Sequence, residues 1–486
     1  MSIAVRRDLR GRHTSLLRFA GVIAILLFGF WAGMSPHWDY VYPLHVDEWF
    51  HLGYTQSMLE HGSLRYPDPY GSGMVSYHQE MGFHLILGFV KTVTGLSWMG
   101  LYRVADGVIV ALLAFFVYAL GRREGFGWAA ALFVPLIPTS IRTLGPTFLV
   151  PVSVAMLFIP LTILVLHRLE AKNLGAALWL LLVLVGGTIF VHPPTEAVVT
   201  GLAAFYLAAV AVEALAARRY HMAGRLAVGI AVRLLIPIVI LGLWLPSLAR
   251  TTAERAISGD LGLAQYLGFS TGFVEAFGII GVALFVFGVA MFMLDSRYGP
   301  RAYVMPLFTL SLIFFLVFFY PRYYLGSNYF YERAWLYLGL FMAILAGYGI
   351  ARYFHTLPAI SSRVGSLMPR RFSGWVRGAL LSMGMAAVAA ALVFGLTSTE
   401  RRGYAKYYHM VDAQMYADFV WLGRYTLQER NVVMLEPSLA WAYPPVAGPG
   451  TRVAGAASAP FRSPWTDQVH QVLATGIVDT EWFSQQ

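Results

Sequence analysis

Four groups of residues in this chain have the types and spacing to do chemistry. The first lies in the segment 43–51, which holds Pro43, His45, Asp47, Glu48, Trp49, Phe50 and His51. Two adjacent carboxylates beside imidazoles and aromatic rings offer a base, or a hold on a cation. The same pair also reads as a helix start, with Asp47 as N-cap and Glu48 complementing the helix dipole. The second group is His78, Glu80 and His84. Glu80 and His84 are four apart, hence on one helix face, and His78, Glu80 and His84 are candidate metal ligands, although their spacing is not that of the common zinc patterns. The alternative is an interfacial helix with its polar face in water. The third group, within 320–333, includes Arg322, Asn328, Tyr331, Glu332 and Arg333. Its arginines have the fork geometry that suits phosphate oxygens, or they anchor the chain at headgroup level. The fourth is His192, Pro193, Pro194, Thr195 and Glu196, where the prolines pre-set an abrupt helix start and His192 and Glu196 either line a cavity or simply form a tight turn.

What positions these residues is a set of long apolar runs. The chain of 486 residues is 58% hydrophobic and only 12% charged, against about 25% charged in a soluble domain. A bilayer calls for runs of about 20 apolar residues, and backbone groups in lipid must be satisfied internally, so the runs must be helices. About eleven spans are expected, at 16–36, 99–120, 126–142, 147–166, 174–192, 196–216, 226–247, 272–294, 302–320, 333–354 and 375–397. The fold class is therefore an all-α polytopic membrane protein, with a transmembrane domain over 1–397 that includes a long first outside loop at 37–98, and a small extracytoplasmic module over 398–486.

The formal net charge of +10 would point to nucleic acid on a soluble protein. Here the basic residues fall in short loops on alternate sides: Arg122 and Arg123; Arg168 and Lys172; Arg218, Arg219 and Arg225; Arg297 and Arg301; then Arg352, Arg363, Arg370 and Arg371. By the positive-inside rule these loops face the cytoplasm, the N-terminus with its four arginines lies inside, and the C-terminus lies outside a plasma membrane. The first apolar run is expected to be a retained span rather than a cleaved signal. With no cysteine in the chain, disulfide and thiolate chemistry are excluded.

Two segments stand apart from the spans. The first outside loop is long, which in compact proteins often marks function. It carries Asp47, Glu48, Asp68 and Glu80 with His45, His51, His61, His78 and His84, and its segment from Met81 to Thr94 patterns as an amphipathic helix lying on the membrane. The tail reads as a helix over Asp418 to Arg430, a strand over Asn431 to Leu435, Pro and Gly turns, and a second strand near Arg452 to Ala456.

The proline approach to Asp47 and Glu48, the aromatic that follows, the helix ending at His61 and Gly62, and the order of long acidic loop, many spans and outside tail together resemble the GT-C superfamily. These are membrane glycosyltransferases that take sugars from polyprenyl-linked donors; protein O-mannosyltransferases, aminoarabinose transferases and oligosaccharyltransferase catalytic subunits belong to it. The resemblance implies that Asp47 is the catalytic base and that Arg333 binds the donor phosphate; Glu48 and Glu80 are candidates to assist the base, and Arg322, His51, His78 and Tyr331 are further candidates to bind substrate or its phosphate. It implies a polyprenyl-phosphate sugar donor and membrane lipids as partners, no nucleic acid, and no required cofactor beyond an optional divalent cation. The sequence departs from the oligosaccharyltransferase pattern in having no acid near Thr139 to Pro146 and no Trp-Trp-Asp. It departs from the aminoarabinose transferases in carrying His78, Gln79 and Glu80 where Lys-Pro-Pro is expected. Donor sugar, acceptor and oligomeric state stay open. The rival reading is a transporter or flippase for a lipid-linked or polar solute, which would carry ionisable residues or broken helices near mid-bilayer.

Overall fold

The structure, a computed structural model, describes residues 3–70, 73–75, 80–139, 144–167, 174–244, 273–295, 303–319, 328–366, 370–397, 409–426, 432–435, 437–448 and 452–454. It is mostly helical and divides into two compact units, one of residues 1–35 and 104–404, the other of residues 36–103 and 405–486.

The larger unit is a helical bundle. Its elements are α1 (Ile3–Met34), the body of α4 (Trp98–Gly121), α5 (Gly127–Phe133), α6 (Pro151–Ala155), α7 (Phe158–His167), α8 (Leu174–Val191), α9 (Pro193–Ala216), α10 (Tyr220–Trp244), α11 (Ile279–Met293), α12 (Val304–Phe314), α13 (Asn328–Ser366) and α14 (Arg370–Leu396). Between α1 and α4 the chain builds α2 (Val46–His61), β1 (Tyr66–Pro67), β2 (Met74–Val75) and α3 (Met81–Thr94). After α14 come α15 (Ala413–Thr426), β3 (Val432–Met434), α16 (Pro437–Ala440), α17 (Tyr443–Ala447) and β4 (Arg452–Ala454). Among the described residues six helical stretches are long and apolar enough to cross a membrane: Phe19–His37, Trp98–Gly121, Leu174–Val191, Pro193–Ala216, Arg333–Arg363 and Gly374–Leu396.

Several of the other expected spans are shorter or broken, and their sequences say why. The run at 126–142 yields α5 and then a 3-10 turn over Val134–Leu136, where Pro135 removes a backbone donor. The run at 147–166 is divided into α6 and α7. In the run at 272–294, Gly278 takes φ 88 and starts α11 afresh. The run at 302–320 passes from α12 into a π turn over Phe315–Phe319. The expected span 226–247 falls in α10, with its last residues outside the described ones.

α13 forms the centre of this bundle. Its residues from Ala334 to Ala346 are all buried, and it packs on α5, α11 and α14. The close crossings depend on small residues, as is usual where helices pack without a hydrophobic drive between them. A Cβ on Gly347 would run into the Ala130 backbone, and one on Gly288 into the Leu345 carbonyl. At the end of α11, Asp295 accepts a hydrogen bond from Tyr348 (2.7 Å) and pairs with Arg352 (3.2 Å), which fastens the α11 terminus to α13.

The smaller unit joins the first loop to the tail. α2 packs on α3 and on the antiparallel pair β1–β2, in which Tyr66 faces Val75 and Pro67 faces Met74. In the tail β3 and β4 pair in parallel, Val432 with Arg452 through Met434 with Ala454, and α15 packs on α17. The tail helix lies at Ala413–Thr426, about one turn earlier than the pattern from Asp418 predicts, because Asp412 starts it by accepting the Met415 N–H (2.7 Å).

Candidate active site

The smaller unit presents Asp47 at the second position of α2. The expectation that Asp47 caps this helix is corrected: the N-cap is His45, in extended conformation, whose Nδ1 accepts the Asp47 N–H (3.1 Å). Glu48 closes the box from inside. Its Oε2 accepts the Leu44 N–H (2.5 Å) and the His45 N–H (3.0 Å), and the residue has no exposed surface. Tyr102 donates to the Glu48 carbonyl (3.0 Å). The two neighbouring acids are thus separated in role by one step of the helix. Glu48 faces inward with its Oε2 taken by two backbone donors, whereas the Asp47 side chain is 41% exposed. The 3.6 Å approach of Asp47 to His45 Nδ1 is not an ion pair, because that nitrogen is accepting an N–H and carries no proton. Among the described residues no side chain donates a hydrogen bond to the Asp47 carboxylate, so it is held in place by its helix and keeps its lone pairs.

α2 ends at His61 with Gly62 in the left-handed region, φ 63, where glycine carries no steric penalty. One turn beyond Asp47, His51 turns inward. Its Nδ1 lies 3.0 Å from His84 Nε2 and its Nε2 lies 3.7 Å from the Glu80 carboxylate. All three are at most 5% exposed. Glu80 is the N-cap residue of α3 and His84 sits one turn on, but they address opposite nitrogens of the His51 ring rather than one shared point. His78, the third of the proposed ligand set, lies outside the described residues, as does Arg322.

Aromatic hydroxyls complete this unit. Tyr54 donates to Asp68 (3.2 Å), which also accepts the Tyr70 N–H (2.9 Å). Burial, reinforced by Asp68, raises the Tyr54 and Tyr70 hydroxyls above the usual tyrosine range, and burial does the same for Tyr40, so all three stay protonated donors at working pH. Gly53 admits Tyr70 against α2, since a Cβ there would stand 2.5 Å from the Tyr70 hydroxyl.

In the larger unit, Arg333 lies in the first turns of α13 and is only 5% exposed. Tyr331 is in the same turn, and its side chain lies outside the described ones. Tyr337, one turn after Arg333, meets Thr195 at 2.7 Å, and Thr195 Oγ1 lies 2.7 Å from His192 Nδ1. The Thr195 N–H also points at His192 Nδ1 (3.3 Å), which fixes that nitrogen as the acceptor. The chain of donors therefore runs from Tyr337 through Thr195 to His192. Both His192 and Tyr337 lie within electrostatic reach of Arg333. His192 is the N-cap of α9, so the expected tight helical start and a polar network meet in the same residues. Deeper in the bundle Glu196 accepts from Thr200 and pairs with Arg233 of α10 at 3.5 Å, each side chain at most 3% exposed.

Sequence reasoning missed Tyr337 and Arg233, although both left a signal. Tyr337 is four residues from Arg333 and so shares its helix face. Arg233 is a lone charge inside an apolar run, which by itself marks a residue with a task. Tyr40, Tyr70 and Trp441 had no local signal, because their partners are far away in the chain.

The chain superposes on the oligosaccharyltransferase of Archaeoglobus fulgidus tethered to an acceptor peptide containing the NVT sequon, with TM-score 0.57 and 12% identity over 89% of this chain. The same enzyme in complex with Zn and sulfate gives TM-score 0.54 and 12% identity over 89% of this chain. ArnT from Cupriavidus metallidurans bound to undecaprenyl phosphate gives TM-score 0.51 and 15% identity, covering 97% of this chain and 91% of that one. The chain spans 63% and 62% of the two archaeal structures. Its fold resembles that of these GT-C membrane glycosyltransferases. In sequence the chain belongs to the DUF6541 family, a family of unknown function whose model matches residues 2–444. No curated protein matches it in sequence.

Proposed function

We propose that this chain is a GT-C-type glycosyltransferase that moves a sugar from a polyprenyl-phosphate-linked donor to a lipid, glycan or protein acceptor at the outer face of the plasma membrane. The observation that carries the reading is the Asp47 carboxylate. It is exposed, rigidly presented on the first turn of α2, and left unbonded by described side chains while its neighbour Glu48 closes the cap. A sugar phosphate ester already has a good leaving group. What is required is a base within hydrogen-bond reach of the acceptor, and positive charge for the departing phosphate. Asp47 supplies the first. Arg333, with Arg322 and Tyr331, supplies the second, and the Tyr337–Thr195–His192 chain holds the α13 and α9 ends together beside Arg333. Glu48 acts here through Asp47, by fixing its helix. Glu80 and His51 support the same helix from its inner face. The account needs no cofactor, and a divalent cation remains an option at the first-loop histidines and acids.

The eleven-span topology, with the N-terminus inside and the tail outside, belongs to this proposal. It places both the first loop and the segment before Arg333 on the donor side by the charge rule. A second reading, a transporter or flippase for a lipid-linked or polar solute, draws on the buried Glu196–Arg233 pair, since buried charges within spans often mark a solute path. One experiment separates the two. Purified protein is incubated with a panel of polyprenyl-phosphate sugars together with lipid, glycan and peptide acceptors, and donor consumption is followed by mass spectrometry. The enzyme reading predicts release of free polyprenyl phosphate from at least one donor. An intact panel, together with solute uptake in proteoliposomes, would establish the transporter instead.

A further inference from the structure

We infer that the C-terminal tail is a clamp that sets the position of the Asp47 segment, gripping the chain on both sides of it through Tyr40, Tyr42, Phe50 and Tyr70. The inference rests on the reading of Asp47 as the base.

Upstream of the motif, the Tyr40 hydroxyl holds both backbone polar groups of one tail residue, Val411. It donates to the Val411 carbonyl (2.9 Å) and accepts the Val411 N–H (3.3 Å). The Tyr40 ring stacks on His409 at 4.1 Å and 9°, and Tyr42 stacks on Tyr416 of α15 at 5.0 Å and 27°. Downstream, Phe50 is three residues from Asp47 and thus on the same face of α2. It meets Trp441 edge-on at 5.4 Å and Tyr70 in a stack at 5.7 Å. The Tyr70 hydroxyl lies 2.8 Å from the Trp49 carbonyl and 3.0 Å from the Trp441 carbonyl, so one donor is shared between α2 and the tail.

The two grips are joined within the tail. Trp441 leads into α17, which packs on α15, and α15 carries Tyr416. Phe419 and Tyr443 meet edge to face at 5.4 Å across that joint. Segment 43–49 is therefore bracketed by contacts whose far ends belong to one packed body. Its own turn has no regular structure before Val46, so its path depends on what holds its ends. Aromatic pairs of this geometry and shared hydroxyl bonds restrict motion at modest energy each. For a base, however, a displacement of about 1 Å can cost on the order of 100-fold in rate. The tail thus acts on rate more than on substrate affinity, and Trp441 and Tyr70 are positioning residues.

The test uses the full chain in nanodiscs. Trp441→Ala, Trp441→Phe and Tyr70→Phe proteins are compared with the parent in backbone hydrogen exchange over 44–54, in thermal unfolding, and in kcat and KM for donor. The clamp predicts faster exchange at 46–50 in Trp441→Ala and Tyr70→Phe. It also predicts a fall in kcat of about 10- to 100-fold with KM unchanged, and recovery of most of it in Trp441→Phe. Unchanged exchange and kcat in both Trp441→Ala and Tyr70→Phe would overturn the clamp. A loss that comes entirely from unfolding, with no kcat change per folded molecule, would do the same. The exchange measurement does not depend on turnover. If Asp47→Asn keeps full activity while exchange at 46–50 still responds to Trp441→Ala, it is the assignment of the base that fails, and the mechanical coupling stands.

Discussion

Replacing Glu48 separates structural from chemical roles in the acidic pair, and the structure gives the size of the effect. The Glu48 carboxylate has no exposed surface and accepts the N–H groups of Leu44 and His45. In Glu48→Ala both donors are left buried without this acceptor. At about 1–3 kcal/mol each, the loss is about 2–6 kcal/mol. Glu48→Gln keeps an oxygen of the same reach. It forfeits the charge assistance of two bonds, about 1 kcal/mol apiece, and the attraction of a carboxylate to the helix N-terminus, about 0.3–1 kcal/mol. Asp47→Asn removes an exposed charge and leaves every described bond of the cap intact. Thermal unfolding in detergent should therefore rank the proteins as parent and Asp47→Asn close together, Glu48→Gln lower, and Glu48→Ala lowest. Transfer per folded molecule should rank them differently, with Glu48→Gln well above Asp47→Asn. A Glu48→Ala protein as stable as the parent would refute the cap. A fully stable Glu48→Gln protein as inactive as Asp47→Asn would move the base to Glu48.

Three further outcomes follow from the geometry. Arg333→Gln should raise KM for the donor by about 10- to 100-fold, the worth of one charge-assisted bond to phosphate, and Arg333→Lys should recover only part of this because it lacks the guanidinium fork; steady-state kinetics over a donor titration checks it. Thr195→Val removes the acceptor of the buried Tyr337 hydroxyl and should lower stability by about 1–3 kcal/mol, read from thermal unfolding, with Thr195→Ser close to the parent. Partial desolvation of the largely exposed His409 beside Tyr40 lowers its pKa slightly below the usual 6.5, against the pull of Asp39, so the unfolded chain takes up this proton at somewhat higher pH than the folded one. Stability contributed by this ring is then present above about 6.5 and lost as pH falls below it; melting temperature should decline on acidification from pH 7 to 5, and His409→Gln should flatten that decline.

Local pattern carried a large part of this architecture. α3 begins and ends where the amphipathic periodicity places it, at Met81 and Thr94, and α2 ends at the His61–Gly62 step. β3 and β4 fall within the two apolar runs of the tail. Hydropathy located the apolar helices but not their breaks, because Pro135 and Gly278 act through backbone geometry that a hydrophobicity window averages away. At the candidate site the acids were legible as a pair, while their division of labour was not. Histidine is not among the favoured N-caps, so His45 gave no reason to displace Asp47 from that role. Least legible were the contacts of Tyr40 with Val411 and of Tyr70 with Trp441, each spanning 371 residues. Nothing in a local stretch encodes such a pairing. Tyrosines in an outside loop read equally well as membrane-interface anchors.

The most direct test of the account is a single-turnover comparison of parent and Asp47→Asn proteins in nanodiscs, using a donor and acceptor pair identified from the panel. Release of polyprenyl phosphate is timed, and donor affinity and melting temperature are recorded on the same samples. The account predicts that Asp47→Asn binds donor and melts like the parent, while its transfer rate falls by roughly 100- to 10,000-fold, the usual contribution of a positioned base. Near-parental turnover by a well-folded Asp47→Asn protein would contradict it.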